Sequence, residues 1–342
     1  MAGRILFTAD DGDTGRELWS SDGTSGGTGL VSEIVAGATG TSFSDLTLIG
    51  NGRAVFAADN GTDGAELWVT DGSAGGTYMV ADIRPGAYAS GIGRLTALSD
   101  GRAVFTANDG THGPELWVTD GTAAGTSLVA DLRPGTSASV SGTIFALGDG
   151  RALFAGNDGT VGSELWVTDG TAAGTSLLVD IRAGSGSSSP ANFAALGDGR
   201  VLFSANNGTG TELWITDGSA AGTSLVKDIR SGNLSSSPTG FTALGDGRMV
   251  FAANNGTNGT ELWVTDGTAA GTTLVEDILA GTSSSGPGEL TALGDGRVVF
   301  VATDGTTGDE LWVTDGTARA PVSCWTSGPA SAAVATTPRW RD

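Results

Sequence analysis

Short loops that combine acidic residues with glycine are the strongest candidates for chemistry in this sequence. Two of them, Asp11-Gly-Asp-Thr-Gly-Arg-Glu17 and Asp59-Asn-Gly-Thr-Asp-Gly-Ala-Glu66, each carry three acidic side chains. Hard cations such as Ca²⁺ bind carboxylate and carbonyl oxygens that flexible loops supply. The two loops therefore offer calcium sites, with the candidate ligands Asp11, Asp13, Glu17, Asp59, Asp63 and Glu66.

The corresponding loops later in the chain favour a simpler interpretation. Asn157-Asp-Gly-Thr-Val-Gly-Ser-Glu164 and Asn206-Asn-Gly-Thr-Gly-Thr-Glu212 keep the turn residues but lack the second acid. Asn-Gly and Asp-Gly pairs form hairpin turns without metal, because these residues tolerate a positive φ. The hairpin interpretation is preferred, calcium in the first two loops stays an alternative, and no other cofactor is predicted.

The remaining reactive residue types are too sparse for a familiar catalytic centre. The chain has one histidine, His112, and one cysteine, Cys324, which excludes a disulfide framework and a zinc site made of several Cys or His ligands. No Gly-rich phosphate loop, nucleophile elbow or zinc motif occurs. We therefore predict no catalytic residue and no cofactor-binding residue.

The composition is acidic and rich in glycine, with 58 glycines among 342 residues. Its 17 basic and 38 acidic residues give a net charge of −21, which excludes a nucleic-acid-binding protein. An apolar share of 39% is enough for a packed core. Because no apolar run approaches the ~18 residues of a membrane span, no membrane insertion is predicted. The first residues also lack the layout of a secretory leader.

Internal repetition indicates which elements must position these residues. The triplet Glu-Leu-Trp recurs seven times at intervals of 48 or 49 residues, each time followed by an Asp-Gly turn. Repetition at this period is typical of propellers and solenoids. A tryptophan at the same place in every repeat predicts core packing. These predicted core residues are Trp19, Trp68, Trp117, Trp166, Trp214, Trp263 and Trp312.

Each repeat contains four short β-type runs, which we name a, b, c and d in chain order. In one repeat they are Phe241–Leu244, Arg248–Ala253, Glu261–Thr265 and Thr273–Ile278. In strand c, apolar side chains alternate onto both faces, as a blade between two neighbours requires. Residues 1–319 are therefore predicted to be all-β, a seven-bladed β-propeller of seven ~49-residue, four-stranded repeats. An open β-solenoid or a stacked hairpin array is the alternative.

The repeat resembles the bacterial ELWxxDGT tandem-repeat proteins, which are also described as hyalin-like. The motif stands here as Glu66-Leu-Trp-Val-Thr-Asp-Gly-Ser73 and Glu261-Leu-Trp-Val-Thr-Asp-Gly-Thr268, and the match covers about residues 4–317. The resemblance implies a bacterial protein that is extracellular or at the cell surface, sometimes attached to calcium-binding secretion repeats. It supplies no catalytic residues. A cytoplasmic location is the alternative, given the N-terminal sequence.

Charged residues also recur with the repeat, which predicts ion pairs within or between blades. The arginine at the start of strand b is expected to lie close to a recurring Asp or Glu, because partly buried Arg and carboxylate groups rarely stay unpaired. The arginines concerned are Arg53, Arg102, Arg151, Arg200, Arg248 and Arg297.

Sequence variation between repeats concentrates in the b–c and d–a connections. In a four-stranded meander these connections emerge on one face, whereas the a–b and c–d turns emerge on the other. The b–c/d–a loop face is therefore predicted to bind a protein or glycan partner, unless the variation only reflects relaxed constraint on exposed loops.

The repeat pattern stops after Ala318. A shift of reading frame explains the change: the third base of the Trp325 codon TGG followed by the first two bases of a Thr326 codon, ACN, encodes aspartate, which the repeat requires there. We therefore interpret residues 320–342 as a divergent, frameshift-derived, disordered tail. Since this tail has no alternating β pattern, it is expected to leave two sheet edges unpaired and the ring closure incomplete.

The sequence supports three functions. The leading one is a non-enzymatic extracellular or cell-surface repeat module that presents a propeller face for adhesion, matrix or ligand binding. The first alternative is a propeller glycan hydrolase or lyase, which would need convergent acids that break the repeat symmetry. The second alternative is a calcium-stabilised structural scaffold.

Overall fold

The computed structural model describes residues 3–306 and 308–318 and the backbone of residues 321–325. Its strands form seven antiparallel sheets, one for each sequence repeat, and its only helical element in these ranges is a 3₁₀ turn, Ala74–Gly76. No helix in the described part is long and apolar enough to cross a membrane. The predicted fold class, an all-β chain of propeller-type blades, is confirmed.

Local sequence chemistry explains each hairpin, as the third repeat shows. Its strands b and c, Ala103–Asn108 and Pro114–Thr119, alternate apolar residues and are joined by a five-residue loop. In that loop the Asp109 carboxylate accepts hydrogen bonds from the backbone N–H groups of Thr111 and His112. Gly113 has a φ of +72°, and a Cβ there would lie 2.7 Å from the backbone of Thr136. The loop therefore requires glycine at that position.

The chain folds into two compact units. Unit 1 comprises Met1–Phe193, Ala205–Gly208 and Thr216–Thr223, and unit 2 comprises Ala194–Ser204, Thr209–Ile215 and Ser224–Asp342.

Unit 1 holds the first four sheets, which we number in chain order. Sheet 1 has three described strands, equivalent to b, c and d, and sheets 2–4 have four strands each. Their strands are β1 Ile5–Asp10, β2 Arg16–Ser21 and β3 Gly29–Ser32; β4 Phe43–Gly50, β5 Arg53–Asp59, β6 Ala65–Thr70 and β7 Tyr78–Ala81; β8 Gly93–Ala97, β9 Ala103–Asn108, β10 Pro114–Thr119 and β11 Ser127–Ala130; β12 Val140–Ala146, β13 Ala152–Asn157, β14 Ser163–Thr168 and β15 Ser176–Val179.

The fifth sheet takes residues from both units, and unit 2 holds sheets 6 and 7. Their strands are β16 Ala191–Ala195, β17 Val201–Asn206, β18 Thr211–Thr216 and β19 Ser224–Lys227; β20 Thr239–Ala243, β21 Met249–Asn254, β22 Thr260–Thr265 and β23 Thr273–Glu276; β24 Gly288–Ala292, β25 Val298–Thr303, β26 Asp309–Thr314 and β27 Pro321–Trp325.

Strand d is shorter than the sequence predicts. In sheet 6 it ends at Glu276 instead of Ile278, because the Ile278 N–H donates to the Glu261 carboxylate rather than to a neighbouring strand. The c–d ladder also shifts register at the Leu-Trp step of strand c, as between Leu262 and Trp263. The motif residues of strand c thus determine where strand d stops.

Apolar residues on both faces of strand c form the cores between neighbouring sheets, as predicted. In unit 1, Val55, Leu67 and Val69 of sheet 2 pack against Phe105 and Trp117 of sheet 3. In unit 2, sheets 6 and 7 pack in the same way. The phenylalanine of strand b is buried in six repeats, at Phe56, Phe105, Phe154, Phe203, Phe251 and Phe300.

The end of the chain departs from one expectation. Pro321–Trp325 forms strand β27, which pairs with β26 in the register of the other d strands, so the expectation that no strand forms in the tail is wrong for these residues. Backbone hydrogen bonds hold a ladder whatever the side chains are, so the exposed edge of β26 can pair with a sequence that lacks the repeat pattern. Residues 326–342 lie outside the described residues. The frameshift, the tail and the ring closure stay predictions.

Candidate functional site

The glutamate of the first six Glu-Leu-Trp motifs is a buried carboxylate that holds the segment following strand d. Glu164 is fully buried and accepts hydrogen bonds from Ile181 N at 2.8 Å, Ser188 N at 2.7 Å and Ser188 Oγ at 2.6 Å. The donors lie 17 and 24 residues after the glutamate. The bond from the residue 17 positions on is also made to Glu17, Glu66, Glu115, Glu212 and Glu261. We call this arrangement the glutamate bracket. Among the described residues, Glu115 Oε1 has no partner.

The glutamate bracket gives Glu17 and Glu66 a different role from the predicted one. Both carboxylates are fully buried, and their oxygens accept backbone N–H groups, from Ile34 and from Ile83 respectively, instead of facing the loop. The sequence contains a signal for this role that the metal prediction overlooked. A serine or threonine stands 24 residues after each of the first six motif glutamates, as Ser90 does after Glu66.

The other candidate calcium ligands lie in the loops but are used by local hydrogen bonds. Asp11 Oδ1 accepts from Asp13 N, Thr14 N and Thr14 Oγ1, and Asp13 is exposed. Asp59 Oδ1 accepts from a backbone N–H, and Asp63 Oδ2 accepts from an asparagine amide. No group of three Asp, Glu, His or Cys side chains in the described ranges is placed to hold a metal ion. The structure does not bring the six acids together, and calcium binding stays a prediction.

Five of the motif tryptophans, Trp68, Trp117, Trp166, Trp263 and Trp312, pack in the cores between neighbouring sheets. Of all seven, Trp166 and Trp263 are 7% and 6% exposed, and the other five are half-buried. Trp312 Nε1 donates to the Ala302 carbonyl at 3.0 Å, whereas the indole N–H groups of the other six have no hydrogen-bond partner in the part of the chain that the structure describes. The indole rings therefore contribute packing, as the sequence predicts.

Glu310, the seventh motif glutamate, breaks the pattern. Both of its carboxylate oxygens are buried and have no hydrogen-bond partner among the described residues. Positions 17 and 24 residues further along, 327 and 334, lie outside those residues. Burial raises the pKa of Glu310, and the charges of Asp304 and Asp309 raise it further.

The burial of Glu310 close to two aspartates leads to a prediction of opposite signs for two matched variants. Glu310→Gln is expected to raise the melting temperature, because it removes a buried charge that is repelled by two aspartates. Glu164→Gln is expected to lower it, because the new amide NH₂ would face backbone donors. Differential scanning fluorimetry of both variants tests this. A fall of equal size in both would show that Glu310 is also held by donors.

The predicted pairing of the b-strand arginines is confirmed. Arg102 lies 2.5 Å from Asp100, and the same pair occurs at Arg151, Arg200, Arg248 and Arg297. The guanidinium also reaches a neighbouring sheet, where Arg102 NH2 donates to the Asp169 carbonyl at 2.7 Å. Arg53 has no such aspartate two residues before it but makes the equivalent bond to the Asp120 carbonyl at 2.8 Å. The contact with the neighbouring sheet was not foreseen from the sequence.

Because one guanidinium makes both contacts, lysine at this position is expected to stabilise the fold less than arginine does. Arg102→Lys is expected to reduce the free energy of unfolding by about 1 kcal/mol, since one ammonium cannot bind Asp100 and the Asp169 carbonyl in the same geometry. Arg133→Lys is the control, because Arg133 makes only a 3.4 Å contact within its own loop. Urea unfolding measures the free energy of unfolding of both variants. Equal losses would contradict a role for the two-sided contact.

His112 is held by its neighbours in the b–c loop of sheet 3. Its Nδ1 lies 2.7 Å from Asp109 Oδ2 and 2.9 Å from Thr111 Oγ1, and hydrogen bonding to Asp109 raises the pKa of the imidazole. A nucleophile–histidine–acid triad places the acid and the nucleophile on different ring nitrogens. Since Asp109 and Thr111 share one nitrogen, this group is not arranged as a triad.

The b–c loops and d–a segments lie side by side within unit 1, as the meander predicts. Ser90 N donates to the Ala65 carbonyl, and Ser139 N donates to the Pro114 carbonyl. Tyr88, in the second d–a segment, is 67% exposed and lies under the Arg84 guanidinium at 5.0 Å. The surface carries exposed aromatic and charged groups, and its protein or glycan partner stays a prediction.

The pKa values of the buried glutamates predict a mildly acidic stability optimum. Burial raises the pKa of Glu66, Glu115 and Glu261 above the ordinary 4.5, so their contribution is present below pH 4.5 and is lost as pH rises through the raised values. Hydrogen bonds from arginine lower the pKa of Asp149 and Asp198 below 3.8, so their contribution is lost as pH falls below that value.

The melting temperature is therefore expected to be higher at pH 5 than at pH 7.5, where the charge of −21 also adds repulsion. Circular dichroism melts at constant ionic strength measure the difference. A Glu66→Gln variant should show a smaller difference in melting temperature between the two pH values. A melting temperature of the unaltered protein that is higher at pH 7.5 than at pH 5 would contradict the prediction.

Comparison with known proteins extends the result on the fold. No protein-family model and no curated protein matches the chain. Among solved structures, it is similar to a prolyl endopeptidase, with a TM-score of 0.52 and 14% identity over 92% of this chain and 47% of that one. A puromycin hydrolase matches with a TM-score of 0.47 and 14% identity over 96% of this chain and 53% of that one. TolB from Acinetobacter baumannii matches with a TM-score of 0.39 and 11% identity over 92% of this chain and 77% of that one. The chain thus spans about half the length of the first two.

The likeness to the prolyl endopeptidase corrects the leading functional interpretation. The interpretation of the chain as a non-enzymatic repeat module for adhesion, matrix or ligand binding is contradicted, because a solved propeller that it matches over 92% of its length belongs to a peptidase. The extracellular or cell-surface location of the module stays a prediction. At 14% identity the likeness establishes the propeller fold and no enzymatic activity.

Proposed function

We propose that this chain is the propeller part of a peptidase-type hydrolase, in which it binds oligopeptides while a separate domain breaks the bond. The observation that carries the proposal is the fold likeness to a prolyl endopeptidase over 92% of this chain and 47% of that enzyme. Inter-domain dynamics are described as having a role in catalysis and specificity in those endopeptidases. A propeller that contributes to specificity fits this division of roles.

The chemistry of the described residues supports binding rather than bond cleavage. The only imidazole of the chain, His112, uses one nitrogen for both Asp109 and Thr111. Motif glutamates such as Glu164 are buried and engaged by backbone N–H groups. These groups hold the loops, so an oligopeptide would meet the surface of the b–c/d–a loop face, where Tyr88 is exposed.

Binding and cleavage of defined oligopeptides test the proposal. Peptides with a central proline and matched peptides with alanine are titrated against the chain by calorimetry, and mass spectrometry follows cleavage. We expect saturable binding of the proline peptides and no cleavage by this chain alone. Absence of binding, or cleavage by the chain itself, would overturn the proposal.

The two tyrosines provide a matched pair of variants. Tyr88→Ala changes the b–c/d–a loop face and is expected to weaken peptide binding several-fold, since aromatic residues commonly dominate binding surfaces. Tyr78→Ala removes a 46% exposed tyrosine at the start of strand β7, on the c–d side, and should leave binding unchanged. Equal effects of the two variants would contradict the assigned face.

A further inference from the structure

Sheet 1 has an open edge at the position where the other sheets have strand a. Among the described residues it contains β1, β2 and β3, and β1 has no partner on its other side. Ile5, at the start of β1, is 65% exposed, whereas Ala54 and Ala103, its counterparts in the next two repeats, are fully buried. The open edge therefore exposes apolar residues that every other described sheet covers.

A pocket lies beside this edge. It measures about 310 Å³ and is lined by Arg4, Ile5, Leu6, Leu46 and Leu48. Leu46 and Leu48 are 40% and 65% exposed.

The counterpart of Leu46 one repeat later shows what normally covers this surface. Leu95 is only 9% exposed, because strand β4 of the preceding sheet packs beside it and Thr47 Oγ1 donates to the Leu95 carbonyl at 3.2 Å. No strand a covers Leu46 in the described part of the first repeat.

We propose that the open edge of β1 binds an extended segment of a separate polypeptide, with a sequence of the type Leu-Thr-Ala-Leu-Gly-Asp. Addition of a strand to an exposed sheet edge is a general mode of peptide recognition, in which backbone hydrogen bonds give affinity and side-chain pockets give specificity. This inference is independent of the proposed peptidase function. The contacts of the segment follow from the strands that occupy the same position in the other repeats.

The third repeat supplies the register of the backbone pairing. There Thr96 and Ala97 lie opposite Val104 and Ala103, and Leu98 N donates to the Arg102 carbonyl at 2.7 Å. When this register is transferred to the first repeat, the incoming threonine and alanine lie opposite Leu6 and Ile5. The N–H of the leucine that follows donates to the Arg4 carbonyl.

A threonine in the segment would find a backbone carbonyl as its hydrogen-bond acceptor. Threonines of strand a donate to the carbonyl of the next sheet in three repeats, as Thr96 Oγ1 does to Ile144 at 3.1 Å and Thr242 Oγ1 does to Leu290 at 3.4 Å. The equivalent acceptor for the incoming threonine is the Leu46 carbonyl.

Charge complementarity determines the acidic end of the segment. In five repeats the b-strand arginine pairs with an aspartate two residues before it, as Arg102 does with Asp100. Arg4 has Ala2 at that position, and its guanidinium donates to the Gly27 carbonyl. An aspartate two residues after the second leucine of the segment would restore the pair with Arg4.

Residues 326–342 do not carry a segment of this type. Residues 326–342 contain no Leu-Thr-Ala-Leu sequence, and their only acidic residue is Asp342. In a second copy of the chain, the described strands of type a are already paired with their own b strands. A separate chain with the same kind of repeat satisfies all the contacts.

A labelled peptide with the sequence of residues 286–296, Gly-Pro-Gly-Glu-Leu-Thr-Ala-Leu-Gly-Asp-Gly, tests the proposal by fluorescence anisotropy with the full chain. We expect saturable binding. The peptide with aspartate replaced by asparagine should bind about two- to fivefold more weakly, as the loss of one partly exposed ion pair predicts. A scrambled peptide should not bind. Absence of saturable binding, or equal binding of the scrambled peptide, would overturn the proposal.

A variant with the strand supplied in the same chain identifies the site. Replacing residues 1–3 by Gly-Glu-Leu-Thr-Ala-Leu-Gly-Asp-Gly, directly before Arg4, should abolish binding of the labelled peptide and slow hydrogen exchange of the amides of residues 5–8. Tyr78→Ala, remote from the pocket, should bind the peptide normally. Undiminished binding to the filled variant would overturn the proposal. So would a dimer by light scattering whose β1 amides are protected without peptide, because a second copy would then cover the edge.

Discussion

Glu164→Ala is expected to reduce the free energy of unfolding by roughly 3–5 kcal/mol, which is a large share of the stability of a typical domain. The variant removes the acceptor of the Ile181 and Ser188 backbone N–H groups and of the Ser188 hydroxyl, and these donors are buried. Buried donors without an acceptor carry the full cost of desolvation. Urea unfolding followed by tryptophan fluorescence measures the loss.

Glu276→Ala is the matched control for this variant. Glu276 is exposed in β23, so its removal should change the free energy of unfolding by no more than about 0.5 kcal/mol. A loss below about 1 kcal/mol in Glu164→Ala would show that the glutamate bracket contributes little, because the segment after strand d would then be held by other contacts.

Trp263→Ala is expected to reduce the free energy of unfolding by about 3–5 kcal/mol. The indole is 6% exposed and packs with Phe251 and Leu213 in the core between sheets 5 and 6 within unit 2, so alanine leaves a cavity that the rigid sheets cannot fill. Chemical unfolding with circular dichroism detection measures the loss.

Trp263→Phe separates packing from hydrogen bonding. Because Trp263 Nε1 has no hydrogen-bond partner, the phenylalanine variant loses only part of the ring volume, and we expect it to lose clearly less stability than Trp263→Ala. Equal losses in the two variants would show that the indole N–H is engaged and that the packing explanation is wrong.

The glutamate bracket explains how one motif serves several tasks. Leu262 packs towards one neighbouring sheet and Trp263 packs towards the other, while Glu261, directly before them in strand c, accepts hydrogen bonds from the Ile278 and Ser285 N–H groups. The motif therefore connects the packing of each sheet to the course of the following segment.

The sequence by itself determined the repeat, the strand content and the core. The 48- to 49-residue interval of Glu-Leu-Trp, the apolar alternation of strand c and the recurrence of charged residues are local patterns. They predicted the sheets, the packing of the tryptophans and the pairing of the b-strand arginines with acidic residues. Such patterns are readable because strand periodicity and turn chemistry depend on neighbouring residues.

Only the tertiary structure decided the role of the acids and the position of the open edge. Glu17 and Glu66 looked like loop ligands, yet their partners lie 17 and 24 residues away, a distance that the chain spans only after strand d has folded back. The contact of Arg102 with the Asp169 carbonyl joins neighbouring sheets, and the pocket beside Ile5 exists because Leu46 of the next sheet faces an edge without a strand. These features depend on which backbone groups the packing of sheets brings together, and residue types along one chain do not specify that.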